Sequence, residues 1–264
     1  MIEFLLNISL GVGLLIFVPI SVSFGLIVYF TFHSIIKNRL RKNHQNMGRM
    51  LFRVSASLLS LILSLTFANQ RVNYFKLKSS LESEASLLFD IKVDLDLFDT
   101  KEAYEIQTKL KDYVFFIAED GWKSLYENPY NSRPFVLFRE IYLDIDHLES
   151  RTPLQERLKV NLLDDIDLMS DYLQVRLYSI KPESNHLIYT SIFGLLVNMI
   201  LFAIYPPDKI TIGFLSLYVA FLSVVFYFIL MMSTPLRGPL QIEPAPFLLL
   251  KETIEANSLV QNLK

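Results

Sequence analysis

Four long stretches of the chain contain no Asp, Glu, Lys or Arg, and they fall into two pairs separated by a polar segment. They are Phe4–Ile36, Val54–Gln70, Ser184–Pro207 and Ile210–Leu236. A charged side chain at the centre of a bilayer costs roughly 2.5–3.5 kcal/mol on insertion scales, so charge-free stretches of about 20 residues are typical of transmembrane helices. The pattern therefore predicts four membrane-spanning helices, two on each side of a soluble segment.

The four stretches differ in length. The first has 33 residues, more than a bilayer requires, so we expect tilt or a break near Pro19. The second has 17 residues, close to the lower limit, and lies between Arg53 and Arg71. Only Asp208 and Lys209 separate the third from the fourth, which predicts a tight transmembrane hairpin.

The segment between the two pairs has the period of α-helices, because its apolar residues recur at intervals of three and four. The apolar stripes are Leu77, Leu81, Ala85 and Leu88; Ala103, Ile106, Leu110, Val114 and Ile117; Phe135, Phe138, Ile141 or Tyr142, Ile145 and Leu148; and Leu158, Leu162, Ile166, Met169, Leu173 and Leu177. The first stripe continues directly out of the second span. The fold class is therefore an all-α integral membrane protein, divided into residues 1–71, a helical soluble domain at 72–183, a hairpin at 184–236 and a tail at 237–264.

Two helix starts carry capping signals. Asp99 with Glu102 three residues later forms a capping-box pattern. Thr152, Pro153 and Gln155 supply an N-cap, a proline at the first helical position and a capping glutamine.

The charges are segregated into two blocks. Residues 37–53 contain six basic side chains and no acidic one, whereas residues 72–183 contain 22 acidic against 14 basic side chains. The basic block is short and lacks interleaved aromatic residues, so it favours anionic headgroups or control of topology over nucleic acid. The positive-inside rule would place both short connections in the cytoplasm, and the soluble domain and both termini outside.

The sequence offers little for catalysis. The chain has no cysteine, no phosphate-binding or nucleophile motif, and four histidines that are far apart. Asp164, Asp165, Asp167 and Asp171 lie on one predicted helix, which favours a solvated face over a calcium loop. We therefore expect no enzyme activity, metal or cofactor.

The second span carries polar side chains along one face. At about 100° per residue, six side chains fall within an arc of roughly 80°: Arg53, Ser57, Ser60, Ser64, Phe67 and Arg71. In one interpretation several copies of this helix surround a pore, with serine hydroxyls replacing water, Phe67 forming a constriction and an arginine at each mouth. In the other, small residues allow close helix packing.

After the fourth span the chain is rich in proline. Residues 235–247 include Pro235, Gly238, Pro244 and Phe247, so we expect a sharp turn followed by extended chain along the membrane surface.

The layout of two spans, a helical insertion and two spans, closed by this Pro-x-x-Gly-x-x-x-x-x-Pro-x-x-Phe tail, resembles the bestrophin-like family of prokaryotic membrane proteins. The resemblance covers nearly the whole chain. It implies a homo-oligomer, typically a pentamer, in which the second span lines an ion pore, with the soluble domain in the cytoplasm.

The resulting functional hypothesis is an oligomeric ion channel, multi-pass in the plasma or inner membrane, whose partners are the lipid bilayer, further copies of the chain and inorganic ions. The alternative is a non-conducting membrane scaffold or sensor whose helical domain binds a partner.

Overall fold

The computed structural model describes residues 2–39, 42–121, 133–178 and 186–262. The helices are α1 (Ile2–Leu6), α2 (Leu10–Ile36), α3 (Lys42–Phe98), α4 (Lys101–Phe116), α5 (Arg133–Asp146), α6 (Pro153–Tyr178), α7 (His186–Phe202), α8 (Lys209–Met232) and α9 (Ala245–Asn262), with a π-helical turn at Ile117–Gly121 after α4. No strand occurs in the described ranges. The predicted all-α class is confirmed.

Three of these helices are long and apolar enough to cross a membrane: α2, α3 and α8. The predicted third span corresponds to α7, which is apolar but has only 17 residues, and its predicted first residue, Ser184, lies outside the described ranges. The count of four spans therefore stays a prediction.

The chain divides into two compact units. Unit 1 comprises Met1–Tyr74 and Pro182–Gln241, and unit 2 comprises Phe75–Lys181 and Ile242–Lys264. The long helix α3 contributes its first part to unit 1 and its last part to unit 2.

Unit 1 is a bundle of mainly apolar helices. In one part of its core, Val28 and Tyr29 of α2 pack against Leu215 and Val219 of α8. A second cluster joins α3 to α8, and a third joins α1 to the end of α8. The core thus consists of apolar side chains contributed by every helix of the unit.

The excess length of the first apolar stretch is absorbed before Pro19, not at it. The short helix α1 ends at Leu6, and α2 begins after Ser9 and continues through Pro19. The expected break at Pro19 is therefore wrong, since a helix at membrane depth tolerates proline when its neighbours satisfy the freed backbone groups.

Unit 2 buries most of the predicted apolar stripes. All the predicted core positions of α3 and α4 are buried, as are those of α6 up to Leu173. Phe135 in α5 is an exception, because about half of its surface is exposed. The side chain of Leu177 lies outside the described part.

Two local predictions in unit 2 need correction. The N-cap of α4 is Thr100, whose hydroxyl accepts a hydrogen bond from the Ala103 amide, while Asp99 adopts a left-handed conformation after the end of α3. The tail is not extended throughout, because Ala245–Asn262 forms α9, which packs against α4. The Thr152 and Gln155 cap is confirmed by the hydrogen bonds of both side chains.

Candidate functional site

The membrane-crossing part of α3 buries one stripe of side chains inside unit 1. Leu59, Leu63, Thr66 and Gln70 are each at most 5% exposed. Their spacing of four, three and four residues places them on one face of the helix. On this face, α3 packs against other helices of the same chain.

The uncovered surface of α3 divides into two stripes of different chemistry. We call Ser57, Ser60 and Ser64 the serine stripe, and all three are exposed. We call Val54, Leu58, Leu61 and Leu65 the leucine stripe, and each is at least 51% exposed. At about 100° per residue the two stripes are separated by roughly 100° around the helix.

The remaining members of the predicted pore face lie at the ends and edge of the serine stripe. Arg53 and Arg71 are exposed, one before and one after the apolar stretch. Phe67 is half-buried and packs against the core cluster that contains Leu59 and Leu63. The Ser57 hydroxyl donates a hydrogen bond to the Arg53 carbonyl oxygen, 3.0 Å away. Five of the six predicted side chains are thus exposed in the single chain.

The first half of the proline-rich tail motif forms a turn in unit 1. Pro235 lies in the turn that follows α8, closed by a hydrogen bond from the Arg237 amide to the Thr234 carbonyl oxygen. Gly238 has a φ of +100°, and a Cβ atom there would lie 2.6 Å from Leu6 Cδ2. Both the backbone conformation and the close approach of Leu6 therefore require glycine at position 238.

The second half of the motif starts α9 in unit 2. The Pro244 carbonyl oxygen accepts hydrogen bonds from the amides of Phe247 and Leu248. The Phe247 ring is fully buried, and the Arg176 guanidinium lies 5.8 Å from its centroid. Phe247 thus anchors α9 against a buried cation.

That cation belongs to a polar cluster at the centre of unit 2, which we call the buried charge cluster: Glu84 of α3, Tyr113 of α4 and Arg176 of α6. None of the three side chains is exposed. Arg176 Nη1 lies 3.2 Å from Glu84 Oε1, the Tyr113 hydroxyl donates to the same oxygen at 3.2 Å, and Arg176 Nη2 donates to the Tyr113 hydroxyl at 3.1 Å. Glu84 Oε2 and Arg176 Nε have no partner within the described part of the chain.

Burial governs the protonation of this cluster. It raises the pKa of Glu84, although Arg176 and the Tyr113 hydroxyl act in the opposite direction. Burial also raises the pKa of Tyr113. Burial alone would lower the pKa of Arg176, but the facing Glu84 and Tyr113 raise it, so the guanidinium keeps its charge.

Sequence reasoning missed this cluster, although a signal for it exists. Glu84 lies three residues after Leu81, and Arg176 lies three residues after Leu173, so both continue apolar stripes. Two opposite charges on core-facing positions of different helices indicate a buried pair.

The aspartates of α6 lie beside those of α3 in an open cleft of about 360 Å³. Asp90, Asp94, Asp164 and Asp165 line it together with Asn161. Burial raises the pKa of Asp94 and of Asp165, and neighbouring carboxylates add to the shift. No group of three or more potential metal ligands converges in the described ranges. The cleft is an acidic surface of unit 2.

Comparison with known proteins identifies the family. A family model described as a Bestrophin-like domain matches residues 20–247, which include the serine stripe, the buried charge cluster and the complete tail motif. No curated protein sequence matches the chain. The apolar helices of unit 1 and this match over most of the chain establish that the protein is a membrane protein of the bestrophin-like family.

Proposed function

We propose that the chain assembles into a homo-oligomeric ion channel in which the serine stripe of α3 lines the pore. The bestrophin family, to which the matched domain points, includes channels. Within this chain, the support for a channel comes from the arrangement of residues on α3.

The observation that carries the proposal is the division of the uncovered surface of α3. If that whole surface faced lipid, a uniform environment would not favour the separation of serines and leucines into two stripes. Hydroxyl groups at membrane depth favour water or other protein, whereas leucines favour lipid. A ring of α3 helices would turn the serine stripe towards a central axis and leave the leucine stripe for lipid or neighbouring helices.

The ends of the stripe fit the same arrangement. Arg53 and Arg71 would lie near the two mouths, where charged side chains remain hydrated and set the local potential. Phe67 would contribute an apolar constriction from the edge of the stripe, since part of its ring packs against the core of unit 1.

The chain is well suited to a cysteine-accessibility experiment because it contains no cysteine. Single variants Ser57→Cys, Ser60→Cys and Ser64→Cys would be reconstituted in liposomes and exposed to a charged, membrane-impermeant thiol reagent. Only a hydrated thiol forms the reactive thiolate. We expect these cysteines to react at least roughly tenfold faster than cysteines in the leucine stripe.

Leu58→Cys, Leu61→Cys and Leu65→Cys are the matched controls. They lie at the same depth and are also exposed in the single chain, so burial within the chain cannot explain a difference. Equal reactivity of the two sets would refute a water-filled path along the serine stripe.

A second function, a non-conducting scaffold, is favoured by a different observation. Helices α5 and α6 expose large apolar side chains, including Val136, Val160 and Leu168, each about half exposed. Where such residues form a continuous patch, they suit a protein partner. In a scaffold the serine stripe would be a dry packing seam, so its cysteines would resist the charged reagent yet form disulfides between copies on oxidation.

A further inference from the structure

One end of unit 1 collects three chain segments that are far apart in sequence. The Tyr29 hydroxyl donates to the Tyr205 carbonyl oxygen at 3.0 Å, and the Nδ1 atom of His33 lies 2.8 Å from the Ala203 carbonyl oxygen. Phe52 of α3 packs edge-on against Phe202. The end of α2, the start of α3 and the connection between α7 and α8 therefore meet here, and we call this region the connection end.

The connection end is strongly basic. Five cationic side chains are exposed there: Lys37, Arg39, Arg49, Arg53 and Lys209. Arg41 and Lys42 belong to the same segment, although their side chains lie outside the described part. The acidic residue Asp208 accepts a hydrogen bond from the Thr211 amide at 2.7 Å and so caps α8. The charge available to an outside partner is therefore positive.

An aromatic cluster lies beside these cations, as is typical of a membrane interface. Tyr205 and Tyr218 both pack around Phe52, and the Arg49 guanidinium lies 5.6 Å from the centre of the Tyr205 ring. Tyrosines concentrate where hydrocarbon meets the headgroup layer. In a membrane, cations just beyond Tyr205 would lie at the level of lipid phosphates.

Exposed apolar side chains adjoin the same cations. Ile35 lies two residues before Lys37, and Ile210 and Phe214 follow Lys209; all three are more than 60% exposed. A ligand here would meet positive charge at one end and hydrocarbon-like surface at the other. A phospholipid with an acidic headgroup has that chemistry.

We propose that the connection end binds anionic phospholipid, with the phosphate held by Lys37, Arg39 and Lys209 and the acyl chains lying along Ile35, Ile210 and Phe214. Arginine and lysine donate charge-assisted hydrogen bonds to phosphate oxygens. The site requires that unit 1 lies in a membrane and does not depend on ion conduction.

The test uses the full chain purified in detergent with equal amounts of phosphatidylglycerol and phosphatidylcholine. Native mass spectrometry measures how much of each lipid remains bound. The intact protein should retain phosphatidylglycerol preferentially, and phosphatidylglycerol should raise its thermal midpoint. Equal retention of the two lipids would overturn the proposal.

The test variant is Lys37→Gln/Arg39→Gln, and Lys76→Gln/Lys78→Gln is a control with the same charge change beyond the other end of the apolar stretch of α3. All four side chains are exposed, so both variants should fold. We expect the preference of the test variant for phosphatidylglycerol over phosphatidylcholine to fall roughly fivefold for each cation removed. The control should keep the preference of the intact protein. An equal loss in both variants would overturn the proposal, because it would show attraction to net charge alone.

A competition arm separates a lipid headgroup from a free anion. Excess inorganic phosphate should leave phosphatidylglycerol bound, since it lacks acyl chains. Displacement of the lipid by phosphate, with the same rise in thermal midpoint, would instead assign the site to a soluble anion.

Discussion

Glu84 and Arg176 illustrate how single side chains govern the stability of unit 2. Both are fully buried, and three helices supply the cluster they form with Tyr113. Desolvation of a buried ion pair cancels much of the Coulomb attraction between its charges. Removing one partner, however, leaves an uncompensated buried charge and destabilises the fold by about 3–5 kcal/mol. The pair therefore makes α3, α4 and α6 depend on one another.

Arg176→Met should destabilise the protein in a pH-dependent manner. Burial raises the pKa of Glu84 in the folded chain, and losing Arg176 removes the main influence that lowers it. A carboxyl whose folded pKa is raised contributes most at low pH, and its contribution is lost as the pH rises through the folded pKa. The loss of stability should therefore approach about 3–5 kcal/mol at pH 8 and shrink towards pH 5, as measured by thermal unfolding in detergent.

The double variant Glu84→Gln/Arg176→Met removes both charges and provides the control. Its loss of stability should be smaller and independent of pH. An Arg176→Met protein that is as stable as the unmodified chain at every pH would show that the buried pair does not form.

At the scale of elements, the apolar stripes of unit 2 could be predicted from periodicity alone. The core positions of α3 and α4 are correct because each stripe follows the helical period. Phe135 differs because, at about 100° per residue, it lies roughly 90° around α5 from the centre of the buried face, which includes Pro134 in the same turn. Periodicity predicts that a face is apolar, but not how wide the covered part of that face is.

The element boundaries were harder to predict, for physical reasons. Asp99 and Thr100 are both good N-caps, and the choice of Thr100 depends on the left-handed conformation of Asp99. Pro244 and Pro246 indicated extended chain, yet proline is also compatible with the first turn of a helix, where its missing amide is not needed. The packing of α9 against α4 favours the helix over extended chain.

The anchoring of α9 can be tested by comparing two of its residues. Phe247→Ala should destabilise the protein by about 3–5 kcal/mol, because it leaves a cavity and removes the aromatic contact to Arg176. Leu249→Ala, at a position that is 66% exposed, should change stability by less than about 0.5 kcal/mol. Equal midpoints in thermal unfolding would contradict the burial of Phe247.

At the scale of the whole molecule, the composition of unit 2 bears on the number of membrane crossings. Helix α9 and the helices at 75–178 belong to the same compact unit, so we expect both parts to lie on one side of the membrane. Helix α8 is long enough to cross once. If both parts do lie on one side, the chain crosses the membrane an even number of times between them, and we predict that α7 crosses as well, despite its 17 residues.

We therefore predict four crossings, with the two short connections on one side of the membrane and unit 2 on the other. Single cysteines at Asn38 and Lys209 should be labelled by an impermeant reagent from one side of the membrane, and cysteines at Glu149 and Glu252 from the other. All four positions are exposed. Labelling of Lys209→Cys from the same side as Glu149→Cys would show that α7 does not cross.

The site itself could be predicted only in part. The serine stripe follows from the 3.6-residue period, because exposed and buried faces of one helix are fixed by spacing. The buried charge cluster depends on three helices meeting, and one sequence does not reveal which helices meet. Assembly of several copies depends on surfaces between chains, which the pattern of a single chain does not define.

Ion flux through the reconstituted protein distinguishes a pore along the serine stripe from a dry packing seam. Liposomes loaded with potassium chloride would carry the unmodified chain, the variant Ser60→Leu/Ser64→Leu or the control Leu61→Ser/Leu65→Ser, with K⁺ and Cl⁻ efflux both recorded. A pore lined by the serine stripe predicts flux from the unmodified chain and the control and little from the serine variant. No flux of either ion from the folded, oligomeric unmodified chain, or undiminished flux from the serine variant, would contradict the account.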